Sequence, residues 1–156
     1  MKKITFILLA FISGTAFAQE SATANAAADI VSPITISAED DLNFGKVSNN
    51  IAGTVVIATD GTATGLSQIG TTSPAAATFD VTAASGFAYN VTLPNSVVLQ
   101  SGSNEITVDT FQDDAGATPQ GTGSIQTIGV GATLNVDASQ PTGNYTGTFE
   151  VTVGYN

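Results

Sequence analysis

The chain has no cysteine, no histidine and no tryptophan. Without cysteine there is no disulfide scaffold, no thiolate nucleophile and no thiolate metal site. Without histidine, a nucleophile–base pair would need Ser with Lys46, or two carboxylates. Cationic side chains are almost as scarce: three Lys and Arg residues stand against 13 Asp and Glu. Two of the three are Lys2 and Lys3, so Lys46 stands alone beyond them. Such a chain cannot build a basic patch to neutralise phosphates, which argues against nucleic acid as a partner and against anionic lipid surfaces. Charge is sparse as well as one-sided. Charged residues make up 10 % of the chain, too few for a disordered acidic tail.

The acidic residues suggest little chemistry. Asp40-Asp41 and Asp113-Asp114 are adjacent in sequence and fall in loops. Glycosidic bond cleavage needs carboxylates that flank a bond in a cleft, and nothing in the spacing puts these across one. Asx turns and solvated loop charge account for them more simply. Glu39, Asp40 and Asp41 are the first oxygen ligands one would offer Ca²⁺, but they lack EF-hand spacing. The expectation is a protein without catalytic residues, cofactor or metal.

The first eighteen residues read as a secretory signal. Lys2 and Lys3 form a basic start, Ile4–Ile12 an apolar run, and Ala16-Phe17-Ala18 a small-x-small site before Gln19. The apolar run is short of the roughly 20 residues that span a bilayer. Cleavage between Ala18 and Gln19 leaves one domain of ordinary size, exported, with no membrane attachment.

No stretch beyond the signal shows helical apolar periodicity. Short strands with Gly, Pro and Asn turns between them recur instead, and they indicate an all-β antiparallel sandwich of immunoglobulin-like type. The expected strands are Asp29–Ser37, Leu42–Gly45, Ile51–Thr59, Ala77–Ala83, Phe87–Leu93, Val97–Gln100, Glu105–Phe111, Gly123–Ile128 and Ala132–Asp137. Thr62–Ala76 reads as a loop with one short strand, and Asp113–Gly121 as a surface loop. The clearest strand is the last. From Tyr145, the odd positions are Tyr145, Gly147, Phe149, Val151, Val153 and Tyr155, and the even positions are polar or Gly. Period-two alternation over this length puts Tyr145, Phe149, Val151, Val153 and Tyr155 into a core. At the other end, Gln19–Ala28 reads as a flexible leader or a donor segment. Its parity is regular: Ala22, Ala24, Ala26, Ala28, Ile30, Ile34 and Ile36 are all even. Residues 29–156 form the domain proper.

Gly143 stands fourteenth from the end and Tyr155 is penultimate. With Phe149, Val151 and Val153 between them, this terminal stretch resembles the last strand of chaperone–usher pilins. Leu42-x-Phe44-Gly45 and Gly143–Phe149 also resemble a bacterial secreted β-domain family of unassigned function, akin to the spore coat protein U-like pilin subunits. The resemblance implies a fimbrial, cell-surface structural subunit assembled by β-strand exchange. Gly143, Tyr145, Phe149, Val151, Val153 and Tyr155 would meet a periplasmic chaperone or a like subunit, and Ala22–Ile36 would donate a strand. The chain departs from that family in lacking a disulfide and in offering small alanines where donor strands present bulky residues. The other reading of the residues is a self-complete secreted binding module, for a glycan or another surface polymer, using the Thr/Ser/Gly-rich loops.

Overall fold

Pairing is antiparallel throughout, and one long strand is the spine. The computed structural model describes residues 19–156; the signal-like segment Met1–Ala18 lies outside the described residues, as does the Ala18 side of its cleavage point. The chain divides into two units, Met1–Ile30 and Val31–Asn156. The described part of the first unit, residues 19–30, contains no strand and is exposed throughout.

The second unit holds nine strands and, among the described residues, no helix. They are β1 (Thr35–Asp40), β2 (Gly53–Ile57), β3 (Ala63–Gly65), β4 (Ala77–Thr82), β5 (Tyr89–Thr92), β6 (Ser96–Ser101), β7 (Asn104–Asp113), β8 (Ile125–Val136) and β9 (Thr152–Tyr155). β8 pairs with β4 through its first half and with β2 through its second. β7 pairs with β8 from Val130 to Asn135 and carries β6 beyond it. β1 joins β4, and β3 joins β2. β5 and β9 form a second, two-stranded sheet. The result is an all-β, sandwich-like arrangement of two antiparallel sheets.

Alternation explains the core. In β4, Ala77, Phe79 and Val81 are buried while Thr78, Asp80 and Thr82 are not. Val55, Val81 and Val130 are fully buried and Val108 nearly so. Each such side chain contributes about 1.5–3 kcal/mol. Two clusters result. One gathers Val55, Ile57, Ile106, Val108, Leu134 and Val136; the other gathers Phe79, Val81, Tyr89, Ile128, Val130 and Val151. Leu42 and Phe111 touch both. Phe111 is aimed there by a bulge: the β7–β8 register shifts between Asp109 and Gln112, and Thr110 takes a positive φ of 51°.

Several expected boundaries move. β1 starts only after Pro33, which has no N–H to give a ladder. Leu42–Gly45 is not a strand but a single bridge, Asn43 with Ala75, followed by the bend at Gly45 (φ 74°). β7 runs on to Asp113, two residues past its expected end. The strands expected at Gly123–Ile128 and Ala132–Asp137 are one strand, β8. Gly129 and Gly131 do not break it. A Cβ on Gly129 would strike the Thr59 carbonyl, and one on Gly131 the Ile57 carbonyl. The glycines let the chain after β2 cross closely over the spine.

Candidate functional site

The terminal segment is less of a strand than its alternation suggests. Only Thr152–Tyr155 pairs in a ladder, with β5. Upstream, Thr146 exchanges both backbone hydrogen bonds with Gln100 of β6 (2.8 and 3.0 Å). The β5–β6 segment thus runs antiparallel along one edge of the terminal segment. The reason lies on the other edge. When Thr146 spends both backbone groups on Gln100, its neighbours Tyr145 and Gly147 turn theirs the opposite way. Among the described residues no strand pairs on that side.

Across from it runs a second such edge. Asn43 exchanges both backbone bonds with Ala75 (2.9 Å each), so Leu42 and Phe44 direct theirs away from Ala75. Between the two edges lies a cavity of about 1340 Å³, lined by residues of Ala38–Asn49 on one wall and Gln140–Phe149 on the other. Small-molecule sites run to about 300–1,000 Å³. Its floor is apolar, with Val97, Leu99, Ile106, Val108, Leu134 and Val136. Phe79, Phe111 and Phe149 pack at one end, the ring of Phe149 standing 6.0 Å from Phe79 and 5.1 Å from Phe111.

The slot is tied at one end, and the chain segments of its two walls are joined again beyond its lining. At the tied end, the Ser139 N–H donates to the Asn49 carbonyl (2.8 Å) and the Asn49 amide donates to the Gln140 carbonyl (2.6 Å). Gln140 in turn donates to the Glu105 carbonyl (2.8 Å) and to the Tyr145 hydroxyl (3.0 Å). The Tyr145 hydroxyl donates to the Pro141 carbonyl (2.6 Å). Past Phe149, outside the lining, the Tyr155 hydroxyl accepts from the Ala84 N–H (2.7 Å) and donates to the Ser32 carbonyl (2.9 Å). Its ring meets Phe87 edge-on at 6.2 Å.

Of the terminal residues singled out in the sequence, Gly143, Tyr145 and Phe149 lie on one wall, and Val151, Val153 and Tyr155 continue the segment beyond it. Val151 is buried, and Tyr145, Phe149, Val153 and Tyr155 are half-buried with their rings and methyls on the core. Gly143 and Gly147 are the close-approach points: a Cβ on Gly143 would strike the Ser101 hydroxyl, and one on Gly147 would come within 2.9 Å of Leu99. The even-parity residues separate. Ile36 pairs with Val81 in β1, and Ile34 and Ile36 both pack on the second cluster. They belong to the domain's own core, which leaves Ala22, Ala24, Ala26, Ala28 and Ile30 as the exposed apolar series; Ile30 is 97 % exposed.

Sequence reasoning placed a short strand at Leu42–Gly45 on the opposite wall but missed its partner and both ties. Ala75 carries no strand signal, and a hydrogen bond from Asn49 to Gln140, 91 positions away, leaves no local pattern. The acidic pairs have quiet roles. Asp113 accepts from the Ala115 N–H (3.0 Å), capping a turn, and Asp114 from the Gly129 N–H in β8 (2.8 Å). Asp40 accepts from the Thr78 hydroxyl (2.9 Å) and Glu39 from that of Ser37 (3.2 Å). Asp60 accepts from the Thr62 N–H, which holds its carboxyl below the ordinary value.

Residues 34–155 match a family described as a domain of unknown function (DUF4402). The chain belongs to that family. No curated protein and no solved structure matches it. The matched span of this DUF4402 domain begins with Ile34, just before β1, and ends with Tyr155, so both walls of the slot fall within it.

Proposed function

We propose that this DUF4402 protein is an exported, cell-surface structural subunit, immunoglobulin-like and pilin-like in build, whose slot accepts a β-strand from another chain. One observation carries the reading: two chain segments, each held by a single antiparallel bridge on its outer side, face each other across an apolar floor. Buried backbone N–H and C=O groups need partners. Small ligands cannot pair a row of them, whereas an inserted strand pairs both edges and covers the floor with alternate side chains. An unpaired edge is also a hazard that proteins normally blunt. Before assembly, a periplasmic chaperone would fill the slot; after it, the segment from Ala22 to Ile30 of a like subunit would. Copies joined this way form a heterologous contact that does not close, hence a fibre.

The test is a denaturing gel of the protein from its host's surface, run with and without boiling. A ladder that collapses on boiling is expected, together with its loss when Gln19–Ala28 is deleted. A single band under both conditions, from protein that melts cooperatively, would sink the reading in favour of a self-complete binding module.

A further inference from the structure

We infer that Lys46 selects the strand that enters the slot, by pairing with Glu20 or Asp29 of a second copy. This rests on the strand-acceptor reading above. Lys46 is exposed and lines the slot. It is the sole cationic side chain in residues 19–156. The other charges on the slot's lining are Asp40 and Asp41, on the same wall. Glu39, between Ala38 and Asp40, does not line the slot. The wall is therefore bipolar, acidic at one point and basic five positions further on, at most about 16 Å of chain given the bend at Gly45 between them.

The leader is acidic at both ends and uncharged between them. Glu20 and Asp29 flank Ser21–Ala28, which carries no charge. Nine positions separate the two carboxylates, about 30 Å when extended. That exceeds the reach from Lys46 to the Asp40–Asp41 pair. If either leader carboxylate sits on Lys46, the other falls past the acidic pair, and the uncharged run lies against it. A shift along the slot by a few residues brings carboxylate against carboxylate instead. Like charges face to face across strands destabilise, and opposite charges stabilise. The single lysine thus fixes register, which alanine side chains define poorly because they differ so little from one another.

The experiment uses the full-length protein on its native surface and reads the unboiled ladder. Lys46→Glu is expected to reduce multimers at least tenfold, and Lys46→Gln to reduce them less. A second charge reversal in the same chain, Glu20→Lys or Asp29→Lys, is expected to restore the Lys46→Glu ladder. Whichever restores it names the pairing carboxylate and so the direction of insertion. Thermal melts confirm that each variant folds; should Lys46→Glu not fold, the Lys46→Gln ladder decides. Ladders unchanged by the Lys46 variants, or restored by neither reversal, overturn the inference. Deleting Gln19–Ala28 separates the two claims. Loss of the ladder there, with Lys46 variants intact, leaves the acceptor reading standing and removes only the role of Lys46. A ladder that survives the deletion removes the reading itself.

Discussion

Thr110 sits at φ 51°, a left-handed conformation that β-branched residues rarely adopt. Left-handed backbone costs an ordinary residue about 1–2 kcal/mol, while Asn tolerates it. Its hydroxyl donates to the Asp109 carboxylate (2.9 Å), a bond between exposed groups. Thr110→Asn should therefore stabilise the domain by about 1 kcal/mol, seen as a higher urea midpoint at unchanged slope. A lower midpoint would mean that the bulge needs the threonine. Tyr89 gives a second residue-scale expectation. It is 1 % exposed, and burial, reinforced by the nearby Asp113 charge, raises its phenol above the ordinary value. The unfolded chain then loses that proton first as pH rises. Stability from this group is complete below about pH 10, the ordinary tyrosine value, and is lost as pH climbs toward the folded value. Urea unfolding across that range should show a decline that Tyr89→Phe flattens. An identical decline in the variant would assign it to other groups.

At the scale of elements, β8 shows where reading by alternation fails. Gly129-Val130-Gly131 looks like a breaker in the sequence, yet it lies in the middle of the longest strand. The glycines answer to a backbone crossing from a distant segment, and local sequence does not carry that information. Gly131→Ala should force the Ile57–Ala58 backbone away and destabilise by roughly 1–3 kcal/mol, in the range of overpacked cores. Gly102→Ala, at a turn glycine with nothing within 4 Å of its Cβ position, makes the comparison: it should cost less, its burden being the positive φ alone. Equal melting temperatures for the two variants would contradict the close crossing. Elements whose burial is set by their own period were legible. β4 and β6 fall within a residue of their expected ends, and the inward set of the terminal segment is right residue by residue. The terminal segment's pairing was not legible, because alternation reports which side faces a core and says nothing about whether an edge has a neighbour.

For the whole molecule, charge is the dominant fact. Each copy carries 13 carboxylates, and beyond the signal-like segment only Lys46 opposes them. In the proposed fibre the copies would repel, and salt shortens the reach of such repulsion from about 30 Å at 0.01 M to about 8 Å at 0.15 M. Reassembly of purified subunits should accordingly accelerate with added salt, measured as growth of the unboiled ladder. Slower growth would show that local attraction, not net charge, governs the encounter. One wall of the slot, Gly143–Phe149, could be read from the sequence because a resemblance pointed to it. Leu42-x-Phe44-Gly45 on the other wall belonged to that resemblance too, while its bridge to Ala75 and the ties between the walls are long-range hydrogen bonds, which only the folded chain reveals.

Those ties have a topological consequence. Asn49 with Ser139 and Gln140 closes one end, and Tyr155 with Ser32 joins the same two chain segments again beyond the lining. A guest cannot be threaded end-on between segments joined on both sides of the gap; it has to be laid in from the open side, like a thread pressed into a seam. Nothing in that motion calls for a chain terminus. Any extended stretch with the right side chains would serve, the middle of a long polypeptide as well as its tip.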